Sequence, residues 1–442
     1  MQKNKERFTA SEKKLVLMCV AVYFVSYITR INYAAVLVEF VKSTGFSKES
    51  ASLALTGLAI FYGGGQLVSG WLGDRVKPKL LISCGLFISA AMNFLLPFCT
   101  AVPALTAVWC INGLAQAMMW PPIVKILTCA LTADKYKKAS VKVSYGAQAA
   151  TILIYLFAPI CIRFSGWQTI FFTASVCAVI MAVVVAVFAP DIKNPQVSGM
   201  PLPENAADKS SCRDAGSGRT AFPYFIFGAA MFVTVLQGIM RDGVANWLPT
   251  YIENEFGVST ELAILSGVVP PLFAVVCYEI TSLLSRKVLK NEFVCAAVIF
   301  GTGFAAAFIL SIFSSHSILL SVAMSTVING CMHGVNVILT CMIPPYFIKN
   351  GKVSFIAGLI NSCTYAGSAL SGYGFAVITE MFGWKGTIAG WTVICALAAI
   401  ICAVFSQKWR NFCIQNSDDA LNDKPRERID SAEEINTLQT NS

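Results

Sequence analysis

Two arginines, Arg30 and Arg241, stand inside apolar stretches of the chain. An arginine at the middle of a bilayer costs about 2.5–3.5 kcal/mol on insertion scales and more on an isolated helix, so each needs a reason to be there. Arg30 follows Leu15 by fifteen residues, roughly 22 Å along a helix at about 1.5 Å per residue, which puts both headgroup layers out of easy reach. A guanidinium stays charged and presents a planar fork of donors that matches two oxygens of a phosphate or carboxylate. Two such forks converging would hold a tetrahedral dianion. For either arginine alone, the plainer account is a pair with an acid or with helix-end carbonyls. The adjacent acid is Asp242, but a residue one position on points about 100° away around a helix. Asp242 is therefore expected not to share the face of Arg241, and to hold a neighbouring helix or take up a proton instead.

Polar and aromatic residues at helical spacings mark out the rest of a candidate site. Tyr33 lies three residues past Arg30 and is placed to orient it. Tyr62 and Gln66 are one turn apart, Tyr145 and Gln148 three apart, Asn361 and Tyr365 four apart, and His333 and Asn336 three apart. For each pair, lining a cavity competes with simple packing or hydrogen bonding in a helix bundle. Trp120 reads as core, and Lys125 as a snorkelling side chain with a gate as the alternative. Asp74 and Arg75 are expected to make gating contacts between helices without touching a ligand. Glu279 is expected to partner Arg75 or Arg286. The glycines at 63, 64, 65 and 70 suit close helix packing. The sixteen cysteines are scattered singly, with no CxxC pair and no Cys/His cluster, and there is no GxxxxGK[ST] loop. No cofactor, metal, ATP drive or enzymatic chemistry is expected.

The elements that must position these residues follow from composition. Of 442 residues, 56% are hydrophobic and 13% charged, against about 45–50% and 25% in average soluble domains. The apolar residues fall in twelve runs, near 15–40, 50–73, 80–99, 103–130, 139–163, 167–189, 222–252, 260–284, 292–313, 316–343, 353–380 and 385–407. Each matches the roughly 20 residues needed to cross a bilayer. The chain is therefore read as an all-α membrane protein with a six-span bundle over 1–189, a polar linker over 190–221, a second bundle over 222–407 and a disordered tail over 408–442. Placing the N-terminus in the cytoplasm puts 26 of the 33 Lys and Arg on that side. Four lie opposite (Lys42, Lys48, Arg163, Lys385) and three within spans (Arg30, Lys125, Arg241). This positive-inside bias puts both termini in the cytoplasm of a bacterial-type inner membrane and accounts for the net charge of +9 without a nucleic-acid partner. The halves echo one another: Arg30 with Arg241, Arg75 with Arg286, Pro121-Pro122 with Pro344-Pro345, and Gly166-Trp167 with Gly383-Trp384. Two related six-helix halves are a recurring transporter architecture.

With these features, Gly70-Trp71-Leu72-Gly73-Asp74-Arg75 resembles the signature of the major facilitator superfamily, and the resemblance covers nearly the whole chain. Arg30-Ile31-Asn32-Tyr33, Trp120-Pro121-Pro122 and the stretch from Arg241 to Tyr251 (RDGVANWLPTY) are similar to the organophosphate:phosphate antiporters, which include glycerol-3-phosphate and hexose-phosphate carriers. The resemblance implies a phosphate clamp at Arg30 and Arg241, rocker-switch exchange of a phosphorylated metabolite for inorganic phosphate, and a monomer. Two positions depart from that pattern. Gln66 stands where such carriers commonly have a lysine, and Gln148 where they commonly have a histidine. Two other readings stay open: a proton-coupled symporter of a carboxylate, with Asp242 or Glu279 carrying the proton, and a non-transporting membrane sensor of a sugar phosphate.

Overall fold

The computed structural model describes residues 8–189, 224–258, 266–267, 269–313, 316–348 and 350–422. All regular structure among them is helical. In lipid only an internally hydrogen-bonded backbone is tolerable. Spans 1 to 3 are Ala10–Thr44, Lys48–Arg75 and Pro78–Leu95. A capping box starts the first: Thr9 Oγ1 accepts from the Glu12 amide while Glu12 Oε2 accepts from the Thr9 amide, satisfying two end donors at once.

Span 4 is broken into Val102–Ala117 and Trp120–Ala130. Pro121 and Pro122 bring no amide hydrogen, so the helix restarts with them in its first turn. Their partners in the other half do the same: span 10 runs Ile318–Asn336, widens into a π stretch at Val337–Met342 and tightens at Pro344–Phe347. Spans 5, 6, 7 and 9 are Ala133–Ser165, Gln168–Phe188, Tyr224–Phe256 and Glu292–Phe313. Spans 11 and 12 lie within Val353–Asn422 as two helices that meet at Gly383, whose backbone is not helical. Gly166 (φ 84°, ψ 161°) and Gly383 (φ 65°, ψ −172°) share a backbone conformation essentially restricted to glycine. The sequence echo of these two Gly-Trp steps is thus an echo of geometry.

Among the described residues, eleven stretches are long and apolar enough to cross a membrane. Val269–Leu283 is the described part of the eighth span, whose first residues lie outside the described set. Spans 1–6 pack on one another, as do 7–12, and the halves meet where span 2 lies on span 11 and span 5 on span 8. Glycine allows the first of those contacts. A Cβ on Gly70 would meet the Ser354 carbonyl at 2.7 Å, and one on Gly358 would collide with the Gln66 carbonyl.

One boundary differs from expectation and another falls outside the described residues. The linker at 190–221 lies outside the described residues. The tail expected to be disordered from 408 is instead helical to Asn422, because Trp409 is buried against Phe293, Tyr346 and Phe412.

The halves are sealed together at the end that carries Ala10. Asp74 accepts from the Ser354 and Phe355 amides at 3.0 and 2.9 Å, where the start of span 11 leaves donors without helical partners. Tyr136 donates its hydroxyl to the Cys341 carbonyl at 2.6 Å. Lys137 reaches Glu292 at 3.0 Å. Glu292 is itself buried and also accepts from Tyr346 and Trp409.

Candidate anion-binding cavity

Above this seal the halves part around a cavity of ≈ 450 Å³. Arg30 reaches it from span 1 and Arg241 from span 7. Arg30 is held by aromatic groups. Its guanidinium lies 4.0 Å from the Tyr27 ring centroid and 4.8 Å from that of Tyr62, and its Nη1 donates to the Tyr365 hydroxyl at 3.4 Å. Tyr365, from span 11, packs edge-on against Tyr62 at 4.5 Å, and its ring centre is 5.8 Å from the Arg241 guanidinium. Both arginines therefore converge on one tyrosine. Ring faces attract cations and fix the Arg30 fork without neutralising it.

Arg241 is held differently. Its Nε donates to Asp242 Oδ1 at 2.6 Å and its Nη2 to Asp242 Oδ2 at 2.8 Å. This overturns the expectation that Asp242 would not meet Arg241, although Asp242 also reaches a neighbouring helix through Ser368 of span 11. The Cα–Cβ directions do diverge by about 100°, but the long arginine stem bends back far enough to close the gap. Asn329 donates to the Arg241 carbonyl at 2.7 Å and ties span 10 to span 7 at this level.

A third group bridges the halves. Gln148 Nε2 donates to the Tyr278 hydroxyl at 3.3 Å, and that hydroxyl lies 3.0 Å from His333 Nδ1. Asn336 lines the cavity and donates to Gln237 Oε1 at 3.4 Å; Asn361 also lines it. The set offers strong donors, one carboxylate and a polar aromatic wall. That arrangement suits binding a small anion.

Of the residues singled out from sequence, Arg30, Arg241, Tyr62, Gln148, His333, Asn336, Asn361, Tyr365 and Asp242 border the cavity. Tyr33, Gln66 and Tyr145 do not. Tyr33 is wholly buried inside its own half, donates to the Ala51 carbonyl and packs on Trp109 and Phe40. Tyr23, Tyr27, Arg30 and Ala34 form one stripe at i, i+4, i+7 and i+11, and Tyr33 falls on the far side of Arg30 from Tyr27. Gln66 is on the cavity face of span 2 but below the floor, covered by span 11 and fully buried, with both amide atoms unpartnered. Tyr145 packs near Tyr278 and beside Glu279.

The gating expectations divide as well. Asp74 crosses between the halves, whereas Arg75 stays on its own helix, donating to the Trp71 carbonyl and lying 4.0 Å over the Trp71 ring. Glu279 sits by Tyr145, and Arg286 turns to Ser282. Lys125 does not snorkel. It is buried and donates to the Gly73 and Asp74 carbonyls at 2.7 and 3.2 Å, capping the end of span 2. Trp120 is buried against Tyr23 at the edge of the cavity. Sequence reasoning missed Tyr23, Tyr27 and Tyr278. The first two carried a signal in their i−7 and i−3 spacing from Arg30; Tyr278 carried none.

A cavity between two six-helix halves defines a transport fold. The Major Facilitator Superfamily profile matches residues 19–372, and this chain belongs to that superfamily of transporters. It is similar to the glycerol-3-phosphate transporter of Bacillus subtilis, 27% identical over 284 residues, which is 58% of this chain and 62% of that protein's length. It is also similar to a probable hexose phosphate transport protein of Chlamydia muridarum, 22% identical over 410 residues, covering 86% of this chain and 87% of that protein. Its fold matches that of a bacterial homologue of the iron transporter ferroportin in an outward-facing state. There the TM-score is 0.72 at 10% identity, over 90% of this chain and 99% of that one.

Proposed function

We propose that this protein is a secondary transporter of a small organic anion, a phosphorylated metabolite moved in exchange for inorganic phosphate. The observation that carries this reading is the convergence of Arg30 and Arg241, one from each half, on Tyr365 in a single cavity. An anion bridging the two forks draws the halves together, and rocking about it exposes the cavity to each side in turn. The names of the similar proteins, transporters of glycerol-3-phosphate and of hexose phosphate, support the cargo class. The bias of basic residues toward the loops at the sealed end supports a cytoplasmic place for that end.

A second reading, proton-coupled uptake of a carboxylate, is favoured by one observation: Asp242 is a carboxylate already seated in the fork of Arg241. Uptake into proteoliposomes separates the two. Stimulation by phosphate inside the vesicles, with no imposed proton gradient, supports exchange. Stimulation by the gradient alone, with no effect of internal phosphate, rejects it in favour of symport.

A further inference from the structure

We propose that Asp242 sets the charge of the cargo: by occupying the Arg241 fork it limits the site to a singly charged oxyanion head. This rests on the anion-site reading above and narrows it. Among the described residues, the charged ones bordering the cavity are Arg30, Arg241 and Asp242, so an Asp242 carboxylate leaves one net positive charge, located at Arg30. The Arg241–Asp242 pair is bidentate, at 2.6 and 2.8 Å, with both side chains largely buried. A second anionic charge placed beside it meets the carboxylate as well as the guanidinium, in a setting where water screens little. A head with two charges must first displace Asp242 from its donors, leaving a carboxylate unpaired in a buried site. A head with one charge is neutralised by Arg30. It can still take hydrogen bonds from the donors of Arg241 that Asp242 does not use, because a guanidinium carries five N–H groups and the carboxylate engages two nitrogens.

The cargo class is then a singly protonated phosphate monoester, a phosphodiester, a sulfonate or a carboxylate. In an exchange cycle the inorganic phosphate moved would be its singly charged form. Asp242 touches the arginine in the cavity wall and acts as a specificity-determining residue.

The test uses ethyl sulfate and ethyl phosphate, two heads of the same shape. At about pH 8 the first carries one charge and the second two, because the second phosphate pKa is about 6. Binding is measured by calorimetry on the purified full-length protein. The unmutated protein should bind ethyl sulfate at least about tenfold more tightly, and Asp242→Asn should reverse the preference. The comparison within the unmutated protein needs no variant to fold. Equal affinities there, or a preference for ethyl phosphate, overturn the role of Asp242, while loss of that binding in Arg30→Lys would leave the anion site itself standing. Failure of both anions to bind the unmutated protein overturns the anion site and this inference together.

Discussion

The two arginines occupy matching places in the two halves, yet their surroundings are unlike. Arg30 rests on the faces of Tyr27 and Tyr62, and no acid among the described residues occupies its fork. Arg241 is bound through two hydrogen bonds to the next residue in the chain. A repeated scaffold preserves where a charge enters the cavity and leaves open whether that charge is available. The half with the unneutralised cation supplies attraction; the half with the ion pair supplies donors and a limit on charge.

Four substitutions would break or sharpen that contrast. Arg30→Lys should have the largest effect, a loss of anion binding and transport of about 100-fold, because a point charge cannot reproduce the two-oxygen fork; thermal unfolding in detergent should change little. Arg241→Lys should cost less, about tenfold in the same binding assay, since the lysine can still pair with Asp242 but offers fewer donors to cargo. Equal losses in the two would erase the contrast. Tyr27→Leu removes the nearer ring beneath Arg30. With cation–π contacts worth about 0.5–2 kcal/mol, affinity should fall severalfold without a change in selectivity between singly and doubly charged anions. Tyr278→Phe should have the smallest effect. It breaks the link from Gln148 to His333 but touches neither guanidinium, and the loss of a hydrogen bond worth about 1 kcal/mol should weaken transport roughly fivefold with anion preference intact.

Much of this was legible in the sequence because lipid imposes a strict code. Apolar run length gave the spans, and the paired Arg, Pro-Pro and Gly-Trp landmarks the repeat. The site was legible where a residue's position around its helix matched its depth, as for Arg30, Tyr62, Gln148 and Tyr365. It was illegible where only one of the two matched. Gln66 has the right face, but the contact of Gly358 with span 2 buries it under span 11. Tyr33 has the right depth but faces the interior of its own half. The Arg241–Asp242 pair was illegible for another reason: backbone direction does not fix where a long, flexible side chain ends. Lys125 shows the same freedom, turning inward to cap two carbonyls of span 2 rather than outward to the interface.

The central claim is that one anion is held by both arginines at once. A double-mutant cycle tests it most directly: phosphate binding measured for the unmutated protein, Arg30→Lys, Arg241→Lys and the double variant. Shared contact with one ligand predicts an interaction energy of about 1 kcal/mol or more. Losses that simply add, within about 0.5 kcal/mol, would mean that the two arginines act on phosphate independently, and would contradict the account.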